Sequence, residues 1–319
     1  MANLETGSAQ PSLEAVVDHL QRRGLKMSRA VRSIVIFLLV AVLTVSAPPL
    51  RAMAATLTVD DDGVQCPGAF PTISAAVLAA NPLGGDVIVV CDGLYPEQVT
   101  IAKSLTLQGV AGQTPTVQAP ALMADPKAII RVMGPVSVTI DGLVISGPGP
   151  SGCDSIRSGI RVDSGATALI TDNLITDIRD TPFGGCQNGI GILVGRQSEG
   201  TTGMATINGN VLQGYQKGGI VVDNFGSSAV ITNNVVTGVG RTEIIAQNGV
   251  QISRGAMVPP SNLQNNTITG NFYLNRSPST TPAVATGILY FQAGDPGFEG
   301  PLNSGNKLRH NQVNVSIIP

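Results

Sequence analysis

Gly189-Ile-Gly-Ile-Leu-Val194 and then Ala205-Thr-Ile-Asn-Gly-Asn-Val-Leu212 are the segments on which the fold of this 319-residue chain turns, because both return along the sequence. The glycine-aliphatic step of the first stands at Gly159-Ile160, Gly189-Ile190, Gly219-Ile220 and Gly249-Val250, a period of about thirty residues. The second recurs as Ala168-x-Ile170-x-x-Asn173-x-Ile175, Ala229-x-Ile231-x-x-Asn234-x-Val236, Ser261-x-Leu263-x-x-Asn266-x-Ile268 and Asn306-x-Leu308-x-x-Asn311-x-Val313. A unit of this size cannot bury its own apolar face, so it stacks on its neighbours and the chain is a solenoid.

Alternating aliphatics around a fixed asparagine describe a strand, a tight corner and a second strand, with the aliphatics pointing inward. Asparagine suits a left-handed corner, and its amide can bond the turns above and below. Turns about 4.8 Å apart then predict a structural ladder of Asn173, Asn210, Asn234, Asn266 and Asn311. Val138-Thr-Ile140-Asp-Gly-Leu-Val-Ile145 has the same form with leucine at the ladder position. Five amides at one position in different turns are what corner geometry requires, whereas a site concentrates its chemistry in one or two turns.

A cap precedes the coil, over about residues 55–85. Thr56-Leu-Thr-Val59 alternates as a strand, and Ile73, Ala76, Val77 and Ala80 have the spacing of a helix that Thr72 can cap. Val87-Ile-Val-Val-Cys91 is short enough for a buried strand. The helix would close a first rung whose backbone groups otherwise invite pairing with other chains.

Cys66, Cys91, Cys153 and Cys186 all lie after the first 54 residues, and an even count in an exported chain suits two disulfides. The repeat puts Cys153 and Cys186 on adjacent turns near one corner, which pairs them and leaves Cys66 for Cys91. No Cys-x-x-Cys occurs, and His310 is the one histidine outside the leader, which argues against zinc. Export is also what residues 27–54 describe. Basic Met27-Ser-Arg-Ala-Val-Arg32, apolar residues 34–43 and small-x-small Ala52-Met-Ala54 read as a signal peptide, since a membrane span needs roughly 20 apolar residues. The domains are then a leader at 1–54 and a single solenoid at 55–319, secreted or held at the cell surface. An uncleaved short anchor is the alternative. A net charge of -2 with 13% charged residues offers no basic stripe, so nucleic acid is not an expected partner. A monomer with no stable membrane span in the mature chain is expected.

Val59-Asp-Asp-Asp-Gly63, Thr72-Ile-Ser-Ala-Ala-Val77, Ile88-Val-Val90, Gly93-Leu-Tyr95-Pro-Glu97, Val99-Thr-Ile101 and Lys103-Ser-Leu-Thr-Leu-Gln-Gly109 resemble the opening of pectin methylesterases. On these motifs the chain resembles the right-handed parallel β-helix proteins of the pectin-lyase-like superfamily, with the pattern running from about residue 56 to the end. The resemblance implies an all-β, right-handed parallel β-helix with an N-terminal capping helix, and a polysaccharide as partner. It does not carry over a reaction. Gln-Asp-Thr, Asp-Phe-Ile-Phe-Gly and Gly-Arg-Pro-Trp of the methylesterases do not occur, nor do Trp-x-Asp-His of the pectate lyases or Asn-Thr-Asp, Gly-His-Gly and Arg-Ile-Lys of the polygalacturonases.

A divergent site has to be sought by geometry. Stacking the Gly-Ile strands at the thirty-residue period gives two outward columns, Arg161, Gly191, Val221, Gln251 and Leu289, and Asp163, Leu193, Asp223, Ser253 and Phe291. Asp163 and Asp223, two turns and so roughly 10 Å apart, approach the carboxylate separation of an inverting glycosidase. Arg161 beside them could bind an acidic sugar. Calcium is the only cofactor left open: Asp172, Asp177 and Asp180, beside Arg179, could coordinate it or clamp a uronate, and Asp60-Asp-Asp-Gly63 has adjacent carboxylates without the full spaced set of ligands; a surface salt-bridge loop and a solvated turn are the plainer readings. Phe272-Tyr273 and Tyr290-Phe291 offer rings for sugar stacking or for capping the last turns.

The leading functional reading is a secreted β-helix that contacts extracellular polysaccharide without a recognisable catalytic site. A divergent lyase or glycoside hydrolase acting on uronate-containing glycans through Asp163, Asp223 and Arg161 is the rival, and a purely structural surface protein is the third reading. An outward cleft lined by Arg and Asp would favour the enzyme. A smooth Thr, Asn and Val face would favour the module.

Overall fold

A computed structural model describes residues 54–274, 283–294 and 299–319; the signal-peptide reading therefore falls outside the described residues, apart from Ala54. Three eight-stranded sheets, each entirely parallel, are wound from successive turns of the chain. Every full rung contributes one strand to each sheet, as in Ala166–Thr171, Leu174–Thr176 and Ile190–Val194. This is the solenoid expected from the repeat, in the form of the right-handed parallel β-helix that the resemblance implied.

The registers show why the sequence winds this way. Ile130, Ile160, Ile192, Ile220, Val250 and Ile288 stack in one inward column of the third sheet, and Val132, Val162, Val194, Val222, Ile252 and Tyr290 in the next. Nearly all are fully buried. At about 1.5–3 kcal/mol for each buried aliphatic side chain, these columns are the main source of stability.

The Gly-Ile step has a steric origin. Gly159, Gly191, Gly219 and Gly249 form the true column, since a Cβ on Gly191 would lie 2.6 Å from the Gly219 carbonyl oxygen and 2.8 Å from Leu212 Cδ2. The thirty-residue alignment is thus two residues out at Gly189, because the rungs are unequal in length. Leu193 stands with Arg161, Val221, Gln251 and Leu289, where the sequence alignment had Gly191. The column of Asp163 and Asp223 has no member on the rung between them. There the Ile190–Val194 strand stops and the chain turns at left-handed Gly195 (φ 69°).

The asparagine ladder runs through the corner between the first and second sheets. Asn173 donates Nδ2 to Asn210 Oδ1 at 3.0 Å, Asn210 to Asn234 at 3.0 Å, Asn234 to Asn266 at 2.9 Å and Asn266 to Asn306 at 2.9 Å. Leu143 ends it, giving its backbone N–H to Asn173 Oδ1 at 3.0 Å. Two expectations are corrected here. The last rung of the ladder is Asn306, not Asn311, because Leu308 pairs with Ile268 of the second sheet and not with Leu263 of the first. Asn311 instead accepts from Asn271 at a different corner. The left-handed residue is also the one before the asparagine in the first four rungs of the ladder, namely Asp172, Gly209, Asn233 and Asn265.

Both ends carry a helix. Helix α1, Ile73–Ala79, is capped by Thr72 Oγ1, which accepts from Ala75 N at 3.1 Å. Glu97 accepts from the backbone of Ile73 and Ser74 at its start, while Lys103 Nζ donates to the carbonyls of Val77, Leu78 and Ala80 at its end. An acid at the N-terminus and a base at the C-terminus complement the helix dipole. Helix α2, Glu299–Gly305, takes the place of a first-sheet strand in the last rung and buries Leu302. The disulfides are Cys66–Cys91, beside the cap, and Cys153–Cys186, between loops of adjacent rungs.

Candidate functional site

The outer face of the third sheet is where charge gathers. Its strands Ser158–Asp163 and Gly218–Asp223 are buried on both faces, so the outward column is covered and not solvated as a surface aspartate would be. What covers it is the loop after Val194. This loop folds back through Arg196 and Thr201, which exchange backbone hydrogen bonds, with a 3-10 turn at Gln197–Glu199.

Arg161 is fully buried beneath this loop. Its Nε donates to Asp163 at 2.5 Å, and its terminal nitrogens bond Glu199. Asp163, also fully buried, accepts in addition from Arg131 Nε and Nη2 at 3.1–3.2 Å and from Ser164 Oγ at 3.1 Å. Arg157 extends the network to Asp154. Hydrogen bonding to Arg161 holds the Glu199 carboxyl below the usual range, and Arg157 does the same for Asp154.

Asp223 is placed differently. It accepts from the loop at Gln197 N (2.9 Å), from Ser253 Oγ (2.8 Å) and from Arg254 Nη1 (3.0 Å). It lines a cleft of about 350 Å³ with Gln187, Arg196, Lys217, Gln251 and Arg254. The floor is apolar, from Ile190, Leu193 and Val221, which cluster outside the main core. Lys217 donates Nζ to Ala246 O at 2.9 Å, and burial pushes its pKa down. Burial likewise lowers that of Arg196.

Of the three sequence-level catalytic candidates, only Asp223 faces a cleft. Asp163 and Arg161 are sealed in the ion network below the loop. Lys217, Arg196 and Arg254 were missed because they lie just outside the strands, beyond the columns read from the Gly-Ile step, and Arg196 also because of the two-residue slip at Gly189. With the glycines correctly stacked, residues flanking the strand ends are the signal that would have found them.

The calcium candidates do not converge. Asp172 and Asp177 occupy left-handed corners at opposite ends of Leu174–Thr176, and Asp177 pairs with Arg179 at 3.1 Å. Asp180 is buried and accepts from Ser155 N and Oγ and from Gln216 Nε2. Among the described residues, the acidic groups that converge on their own are Asp60, Asp61 and Asp62. Phe272 and Phe291 are each covered by a guanidinium, from Arg241 and Arg254, and Tyr290 points inward, donating to Val258 O at 2.5 Å.

Comparisons with known proteins add the following. The sequence matches no protein-family model and no curated protein. One similar solved structure is the pectin methylesterase from Aspergillus niger in penultimately deglycosylated form, at 16% identity over 85% of this chain and 87% of that one, with a TM-score of 0.42. Another is a pectin methylesterase in complex with a hexasaccharide, at 13% identity over 75% of this chain and 67% of that one, with a TM-score of 0.33. At these levels of identity and superposition the likeness carries no argument about activity.

Proposed function

We propose that this chain is an extracellular β-helix that binds an acidic polysaccharide across the cleft on its third sheet. The observation that carries this reading is the balance of the lining. Arg196, Lys217 and Arg254 face one carboxylate, Asp223, whose oxygens are already engaged. Positive charge is left over for a uronate carboxylate. Gln187, Gln197 and Gln251 supply donors and acceptors for sugar hydroxyls, and the apolar floor suits the C–H face of a ring. The two disulfides and the leader-like N-terminus support secretion.

The test is calorimetric titration of the purified protein with oligogalacturonate and with a neutral cello-oligosaccharide. The reading expects binding of the acidic oligomer alone, weakening with salt and with Arg254→Ala. Equal binding of the neutral oligomer would overturn it.

Lys217 favours a second reading, elimination on the same polymer. A lysine whose pKa burial lowers is suited to act as a base nearer neutral pH. It would take the C5 proton of a uronate held by Arg196 and Arg254. The C4–O bond then breaks as a C4=C5 double bond forms, and the leaving oxygen takes a proton from water. Unsaturated chain ends in wild type but not in Lys217→Met would establish this reading. A glycosidase on Asp163 and Asp223 is harder to assemble, since Asp163 would first have to lose both of its arginine partners.

A further inference from the structure

Phe225 is 81% exposed, although it follows the cleft residue Asp223 by only two positions. The turn that carries it is tied on both sides. Asn224 (φ 83°) donates Nδ2 to Thr201 O at 3.0 Å and its backbone N–H to Ser253 O at 3.1 Å, and Ser227 N closes the turn on Asn224 O at 3.0 Å. Gly255 of the next rung lies against the phenyl group, where an added Cβ would come within 3.2 Å of Phe225 Cβ and 3.5 Å of Cδ2. The ring is thus braced by backbone yet presented to solvent, in the turn that follows Asp223 and against the residue that follows Arg254, both of which line the cleft. Met257, whose N–H bonds Ser227 O at 2.9 Å, is 69% exposed on the adjacent rung. Phe291, the other ring near Arg254, is occupied by that guanidinium.

A large apolar side chain held in the open beside a polar cleft marks a contact surface, and a phenyl face is suited to the C–H face of a pyranose. We propose that Phe225 is a stacking platform for the sugar that follows the uronate in the cleft, so that the ligand is a polymer and not a short acidic sugar. This rests on the acidic-glycan reading above and deepens it. The occupant is a pyranose and not a protein partner because Phe225 follows Asp223 by two positions and packs on Gly255, the residue after Arg254, and so adjoins a cleft lined with hydroxyl-binding amides, Gln187, Gln197 and Gln251.

The chain has no tryptophan, so Phe225→Trp places a single fluorescent reporter at the site. The full chain is titrated with a hexamer and with a dimer of galacturonate. The expected result is that Phe225→Ala weakens hexamer binding about tenfold or more with dimer binding and unfolding temperature unchanged, while the Phe225→Trp emission shifts on adding hexamer. Unchanged hexamer affinity in Phe225→Ala, with wild type binding normally, overturns the platform and leaves the cleft standing. Concentration-dependent dimerisation that disappears in Phe225→Ala without loss of hexamer affinity overturns it in favour of a second copy of this chain. Failure of wild type to bind either oligomer is the distinct result that removes the cleft reading and the platform with it.

Discussion

Arg161 and Glu199 form an ion pair that ties the loop after Val194 to the neighbouring rung, with Arg161 fully buried and Glu199 partly exposed at the loop's edge. The loop carries Arg196 and Gln197 into the cleft, so the pair connects the covered network to the cleft wall. Arg161→Met is expected to destabilise the protein by about 3–5 kcal/mol, because it leaves Asp163 with only Arg131 as a cationic partner in a buried setting. Denaturant unfolding measures this directly. A loss below about 1 kcal/mol would mean that the network is not a structural element.

The same network predicts an acid-labile loop. Glu199 and Asp154, with carboxyls held low by Arg161 and Arg157, and Asp86, held low by the N–H groups of Ala55 and Asn81, are stabilising while ionised. Their contribution is complete above the unfolded values of about 4 and disappears as pH falls through the lower folded values. The unfolding temperature should be flat from about pH 7 to 5 and drop below about pH 4. Glu199→Gln should flatten that drop. An identical acid limb in the variant would exclude Glu199 as a contributor.

The ladder gives a paired prediction. Asn306→Ala removes the acceptor of Asn266 Nδ2 and the donor to Leu263 O, all buried, at about 1–3 kcal/mol for each group left unsatisfied. Asn311→Ala, at the less buried Asn271 pair, where the backbone N–H of Asn271 is 3.3 Å from Asn311 Oδ1, should cost less. Thermal unfolding of the two variants decides between the ladder described above and one that ends at Asn311.

Gly191→Ala tests the origin of the repeat. The new methyl would meet backbone at 2.6 Å, so the rung must move, and a loss of at least 1–3 kcal/mol is expected by analogy with overpacking. Gly184→Ala, where the nearest atom is 3.7 Å away, serves as the control and should be near neutral. Equal effects would remove the steric account.

Much of the fold was legible because stacking imposes identical demands on every rung. Ile73, Ala76 and Val77 gave the cap helix, the aliphatic columns gave the sheets, and the cysteine spacing gave both pairings seen. What was not legible depended on rung length, since insertions in loops shift register without disturbing the local pattern. Gly189 looked like Gly159 for that reason, and Asn311 looked like Asn266 because helix α2 replaced a strand whose absence left no mark on the motif. The cleft was hidden for a further cause. Lys217, Arg196 and Arg254 come from three loop segments on three successive rungs, outside the repeated motif, and only the stacking brings them together.

Lys217 makes the cleft pH-sensitive on its alkaline side. Burial lowers its pKa, so its charge is lost at a lower pH than the ordinary lysine value of about 10.4. Affinity for an acidic oligosaccharide should therefore fall as pH rises from neutral toward that value, and Lys217→Arg should bind without the fall. A parallel decline in both proteins would assign it to another group.

The most direct test of the account is the affinity of the purified protein for oligogalacturonate, measured by calorimetry at low and moderate salt beside the Arg254→Ala variant. The account predicts binding that weakens with added salt and drops about tenfold or more in the variant. Absence of binding, or binding that ignores both salt and Arg254, would contradict an acidic-glycan cleft on the third sheet.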